Sequence, residues 1–253
     1  MRVYQCEDSL EGIFTAIYNT YEDKCDKADT VISLTDELYL FAEYIPVQTD
    51  EEKALKVINT LRRRFGEEDY MKLCFALSSN DTEKAQAVYR TITAGLSNSC
   101  KPGHLLDNLA DDSVHLVFSL ARAANNEYLH LRGFIRFSEL EKGILYSPIG
   151  PKNNVLTFLM PHFADRFPVE NFLIYDEVRN LFGIHPAGKD WYLIQGKEID
   201  KEKSLVLSDR ELEYQELFQY FCKELAIKER KNLELQRNML PLRFREYMTE
   251  FKK

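Results

Sequence analysis

The sequence contains no Gly-x-x-x-x-Gly-Lys-[Ser/Thr] loop and no Gly-x-Gly-x-x-Gly turn. A backbone cradle for phosphate groups at a helix N-terminus is therefore unsupported, which sets aside the P-loop and dinucleotide-binding folds. His-Glu-x-x-His and Gly-x-Ser-x-Gly are missing as well. The five histidines, His104, His115, His130, His162 and His185, are too dispersed to suggest a metal site. Zinc peptidase and nucleophile-elbow hydrolase chemistry thus find no residues to carry them. The five cysteines, at 6, 25, 74, 100 and 222, are odd in number and form no Cys-x-x-Cys pair. They point to buried free thiols in a reducing compartment, not to a disulfide framework or a zinc site. No apolar run reaches the about eighteen residues of a membrane span, and the first residues lack the apolar centre of a signal peptide. The expectation is a cytoplasmic protein with no membrane partner.

Of the 253 residues, 45% are apolar and 29% charged. That is an ordinary globular balance, with enough chain to bury a sizeable core as one large domain or two small ones. A formal charge of −8 argues against a protein that coats nucleic acid non-specifically. The charge is uneven, however. Residues 1–60 hold 5 Lys and Arg against 13 Asp and Glu, whereas residues 221–253 hold 9 against 5. An acidic front and a basic tail leave room for a local polyanion contact; a solvated helix surface with chance asymmetry explains them equally well.

Along the chain, Ser9 is an N-cap for a helix with Leu10, Ile13, Phe14, Ile17, Tyr18 and Tyr21 on one face. Leu38–Val47 reads as a strand, and Thr49–Glu52 as a capping-box start to a helix carrying Leu55, Ile58, Leu61 and Phe65 as far as Gly66. Helices follow over Glu67–Leu77, Asp81–Leu96 and from Asp111 or Asp112 to about His130. Leu131–Phe137 and Ile144–Pro148, joined by a loop with Gly143, read as a β-hairpin. Val155–Arg166 has helical spacing, with Asn153 or Asn154 as N-cap and a kink or break at Pro161. Asn171–Tyr175, Leu181–His185 and Asp190–Ile194 form a three-stranded meander. Ser208–Ile227 is an amphipathic helix with Leu212, Leu217, Phe218, Phe221 and Leu225 inward. The expected fold is α+β. A mostly helical part covers 1–130; a part with about five mainly antiparallel strands and C-terminal helices covers 131–253, either as two parts or as one continuous domain.

The densest chemistry lies between Leu131 and Phe167, where Arg136, Lys152, His162, Asp165 and Arg166 stand among apolar residues. His162 is three residues from Asp165 and four from Arg166, so a helix puts all three on one face. A His beside a carboxylate can act as an acid–base group and the Arg can hold a phosphate; a helix end tied by local salt bridges uses the same residues. In the tail, Arg237, Arg243 and Arg245, with Arg230 and Lys231, alternate with Phe244 and Tyr247. That pattern suits a nucleic-acid backbone and also a basic helix packed on an acidic neighbour.

The blocks Gly133–Leu140, Gly143–Ile149, Pro151–Leu156 and Pro161–Pro168, followed by Ile174–Glu177, resemble a bacterial family of DNA metabolism proteins, a domain of unknown function. The start (Tyr4, Asp8–Gly12) and the tail (Asn232, Leu235–Arg237, Met239, Pro241, Arg243, Phe244, Thr249, Glu250) fit too, so the resemblance spans nearly the whole chain. Members of that family stand beside a radical-SAM protein or are fused to a uracil-DNA glycosylase-like domain. The resemblance implies an accessory protein in DNA modification or repair, with a radical-SAM enzyme as partner. No cysteine triad exists here for an iron–sulfur cluster, so cluster and SAM are expected only in the partner. On this reading Arg136, Lys152, His162, Arg166, Arg237, Arg243 and Arg245 contact phosphates or the partner. One alternative is a nucleic-acid-processing enzyme using His162 with Asp165, or Tyr175 with Asp176. Another is an interaction module whose acidic first sixty residues form the interface.

Overall fold

A computed structural model describes residues 1–97, 100–196 and 205–251. The chain divides into two compact units, Met1–Asn126 and Glu127–Lys253.

The first unit pairs helices with a sheet that the sequence pattern hides. β1 (Arg2–Gln5) is flanked in parallel by β2 (Thr30–Ser33) and β3 (Glu43–Pro46), in the order β2-β1-β3. These strands are four residues each, and the central one is covered on both faces: Val3 and Tyr4 are both fully buried. A short parallel strand buried on both sides shows no apolar/polar alternation, which is why β1 and β2 are not legible in a part that reads as mostly helical. Of the expected strand over Leu38–Val47, only Glu43–Pro46 pairs. Helix α1 (Leu10–Glu22) starts where expected, with Ser9 Oγ accepting from Gly12 N–H at 3.0 Å. α2 (Glu51–Leu77) is capped by Asp50 and broken at Gly66, whose φ of 85° interrupts the helical backbone. Before that break its inward residues are Ala54, Leu61 and Phe65, while Leu55 points to solvent. α3 (Lys84–Ser97) follows. Asp111 Oδ1 then accepts from the N–H groups of Ser113 and Val114 to start α4 (Asp112–Phe134), whose last turns lie in the second unit.

The second unit is built on a five-stranded sheet in the order β4-β5-β6-β7-β8: Ser138–Glu139, Leu145–Ile149, Phe172–Asp176, Leu181–His185 and Tyr192–Gln195. Three of its four pairings are antiparallel. β5 and β6 are parallel and joined by α5 (Leu156–Arg166). The meander over β6–β8 matches the sequence pattern closely. The hairpin does not: residues 131–134 belong to α4, and only Ser138 and Glu139 pair with β5. Local β-propensity yields there to packing, because Leu131 is buried in the core and the Phe134 ring stacks on His130 and tilts against Phe244. α5 crosses Pro161 without a break and has no side-chain cap, its first residue following Val155. The core gathers Leu131, Ile149, Leu159, Met160, Phe163, Phe172 and Ile174 between the sheet and the helices.

Beyond the sheet come α6 (Asp209–Glu224), α7 (Leu233–Met239) and α8 (Leu242–Arg245), giving eight α-helices among the described residues. Ser208 caps α6. Its apolar residues do not face inward as the pattern suggests: Leu212, Leu217, Phe218, Phe221 and Leu225 are all exposed. Gln215 and Gln219 turn toward the body of the unit instead. Gln215 donates to Ser138 Oγ at 3.0 Å and Gln219 to the Thr249 carbonyl at 3.0 Å. All five cysteines are free thiols, but only Cys74 is buried. No described helix is long and apolar enough to cross a membrane.

Candidate nucleic-acid interface

The second unit holds the loop Gly150–Asn154 between β5 and α5 from both sides. The Glu127 side chain on α4 is 1% exposed, and its carboxylate is nevertheless fully occupied. Oε1 accepts from Lys152 N–H at 3.0 Å and pairs with the Arg243 guanidinium at 2.9 Å. Oε2 accepts from the backbone N–H and the side-chain amide of Asn153, at 2.8 and 2.7 Å. A buried charge persists only with such a full set of partners. Asn153 does not cap α5, whose N-cap position falls on Val155. On the other side, Arg179 in the β6–β7 turn donates to the carbonyls of Pro151 and Lys152, at 3.2 and 2.6 Å. Arg179 is itself paired with Asp176 at 3.1 Å. Asp176, 0% exposed, also accepts from the N–H groups of Val178 and Arg179. Burial pushes its carboxyl above the usual range, while the hydrogen bonds and charge of Arg179 oppose the shift. With the backbone pinned, the Lys152 side chain is left exposed.

The cations proposed from sequence fall into two groups. Three of them tie the fold. Arg243 pairs with Glu127 and lies over the Phe244 ring at 4.6 Å. Arg136 pairs with Glu250 at 2.9 Å and donates to the Gly133 carbonyl at 3.0 Å. Arg245 donates twice to the Leu240 carbonyl, at 3.2 and 3.1 Å. The others, Lys152, Arg166 and Arg237, are exposed and have no ion pair among the described residues.

His162 lies half-buried on α5, edge-on to Phe163 at 5.0 Å. Burial, and then the charges of Arg132 and Arg166, push its imidazole below the usual histidine range; Asp165 opposes the shift. Arg132 and Arg166 sit in the last turns of α4 and α5, where the helix dipole favours a cation. Each guanidinium lies over an aromatic ring, Arg132 over Tyr128 at 5.5 Å and Arg166 over Phe167 at 5.6 Å. Both are exposed, and neither has an ion pair among the described residues. The structure therefore places two exposed guanidinium groups, at two helix ends, near enough to one imidazole to disfavour its proton. Arg132 and the carboxylate of Glu127 were not singled out from sequence. Arg132 lies in the segment read as a strand, and Glu127 is one acid among many on an amphipathic helix.

The acid–base pairs do not assemble as pairs. Tyr175 and Asp176 are neighbours on β6, so their side chains leave opposite faces. The Tyr175 hydroxyl donates to Asn180 Oδ1 at 2.9 Å, and Asp176 serves the turn. Asp165 is exposed, and among the described residues no hydrogen bond joins it to His162. His185 is buried, with Nδ1–H donating to the Glu170 carbonyl at 3.1 Å. No group of His, Cys, Asp and Glu among the described residues is arranged to hold a metal ion.

An α+β unit with a helix-end cluster of cations defines a class of protein but not an activity. Residues 82–250, about two thirds of the chain, match the model of a domain of unknown function, DUF4130. The chain belongs to that family. No protein of curated function matches the sequence.

Proposed function

We propose that the chain is an accessory protein in DNA modification or repair that contacts nucleic-acid phosphates, with Arg132 and Arg166 as the principal contacts. The DNA context and the radical-SAM partner are drawn from the family resemblance, and any cluster and SAM belong to that partner. The observation that carries the phosphate contact is the placement of Arg132 and Arg166 near His162: exposed, each lying over an aromatic ring and without a carboxylate partner among the described residues. Guanidinium groups so held can meet phosphate oxygens in bidentate fashion with little ordering cost. Lys152 adds a third cation on the pinned loop. An accessory role is favoured over acid–base catalysis because Tyr175 and Asp176 are committed to the turn that fastens this loop.

The test is a fluorescence titration of single- and double-stranded DNA, with and without the radical-SAM enzyme. Arg132→Ala and Arg166→Ala should each weaken binding across sequences and flatten the salt dependence by about one unit of slope. If both variants bind as the parent does, the cluster is not the interface.

A further inference from the structure

α6 presents its most apolar surface to solvent. Tyr214, Leu217, Phe218, Phe221 and Leu225 recur at helical spacing along one face and are 38–64% exposed. The helix is not simply rotated out of place, since Gln215 and Gln219 on the other side are bonded to Ser138 and Thr249. The flanking charges decide what fits this stripe. α6 carries five Asp and Glu against two Lys and Arg. Such a helix is repelled by anionic lipid, which basic interfacial helices seek. In the thirteen residues beyond its C-terminal end, Arg230, Lys231 and Arg237, all exposed and without ion pairs among the described residues, stand beside two acids, Glu229 and Glu234. The chain thus offers an apolar stripe with acid at one end and base just past the other.

We propose that α6 is a self-association surface, whose partner is α6 of a second copy packed antiparallel across a two-fold axis near Leu217. An antiparallel pairing brings the basic C-terminal side of each helix toward the acidic N-terminal side of the other, with Lys223 opposite Glu211, whereas a parallel one stacks acid on acid. Helix dipoles favour the same arrangement. Arg210 and Glu224 are fourteen residues apart, close to four full turns, and so lie on one flank of the stripe. The two-fold axis sets Arg210 of each copy opposite Glu224 of the other. Five large side chains line the patch. They offer on the order of 500 Å² per chain, most of the ~800 Å² per partner of a standard interface, with the polar rim to supply the rest.

Sedimentation equilibrium of the full chain at micromolar concentration should give the mass of two chains. Leu217→Glu, on a side chain already 62% exposed, should yield a monomer with an unchanged circular dichroism spectrum and a melting temperature that no longer depends on concentration. Arg210→Glu should raise the dissociation constant about tenfold by reversing two rim pairs, and Arg210→Glu with Glu224→Arg should restore it. A chain that stays monomeric at all concentrations overturns the proposal, as does a dimer that survives Leu217→Glu. A double reversal that fails to restore association overturns the antiparallel pairing.

Discussion

Glu127 places a full negative charge in the interior of the second unit and gives it four donors, two of them the backbone of a single loop. Removing the charge strands Arg243 and turns an amide donor toward N–H groups. Glu127→Gln should cost about 3–5 kcal/mol, read as a fall in the urea midpoint. His162 makes the opposite kind of statement, because its proton is disfavoured by the fold. The unfolded chain takes up that proton near the ordinary histidine pKa of about 6.5, and the folded chain only at lower pH. The unfolded state binds more protons between the two values. Stability is therefore full above about pH 6.5 and declines as the pH falls through the depressed folded value. His162→Gln should remove part of that acid sensitivity in urea melts at stepped pH. A phosphate held between Arg132 and Arg166 would offset their repulsion, so the His162 titration followed by NMR should move up when DNA is added.

At the scale of elements, the unit depends on how closely α5 lies on the sheet. Gly183 on β7 leaves room for Met160 of α5: a Cβ added there would collide with the Met160 sulfur and stand 2.9 Å from its Cγ. No unusual backbone conformation is involved; the site is simply full. Gly183→Ala should destabilise by about 1–3 kcal/mol. Because the clash is with one side chain, Gly183→Ala combined with Met160→Ala should cost less than the sum of the two single changes, as measured by a double-mutant cycle. Gly150 is limited in the same way by the Tyr247 hydroxyl, which donates to Glu177 at 3.1 Å. The loop bearing Lys152 is thus held by Glu127, Arg179 and the space around Tyr247. That rigidity is what a backbone-contacting loop needs if its cation is to meet a phosphate at low entropic cost.

For the whole molecule, a net charge of −8 means that any affinity for DNA must come from a local patch. With Arg132, Lys152 and Arg166 as contacts, log Kobs against log salt for duplex DNA should have a slope of about −2 to −3. A much steeper slope would require further cations beyond these three. The family match at residues 82–250 begins at α3 and crosses the boundary between the compact units within α4. The related segment is therefore not one of the two units but a run of chain joined by that helix.

What local pattern could determine, it determined well: the cap at Ser9, the break at Gly66 and the three strands over residues 172–195. In each case the signal is local, a side-chain oxygen within reach of an N–H, a positive φ, or apolar runs punctuated by turns. The α+β class followed from summing those signals. Only the tertiary structure decided the rest, because it depends on partners distant in sequence. Residues 131–134 are helical since Leu131 and Phe134 have a core to enter. The N-terminal parallel sheet exists because three four-residue strands meet. Arg136, Arg243 and Arg245 look like phosphate ligands in sequence, yet each is spent on a fold partner 114, 116 and 5 residues away respectively. Arg132 and Arg166 lie in two helices that converge only in the fold, and a cation's freedom to bind a ligand is settled by whether an internal carboxylate or carbonyl reaches it first.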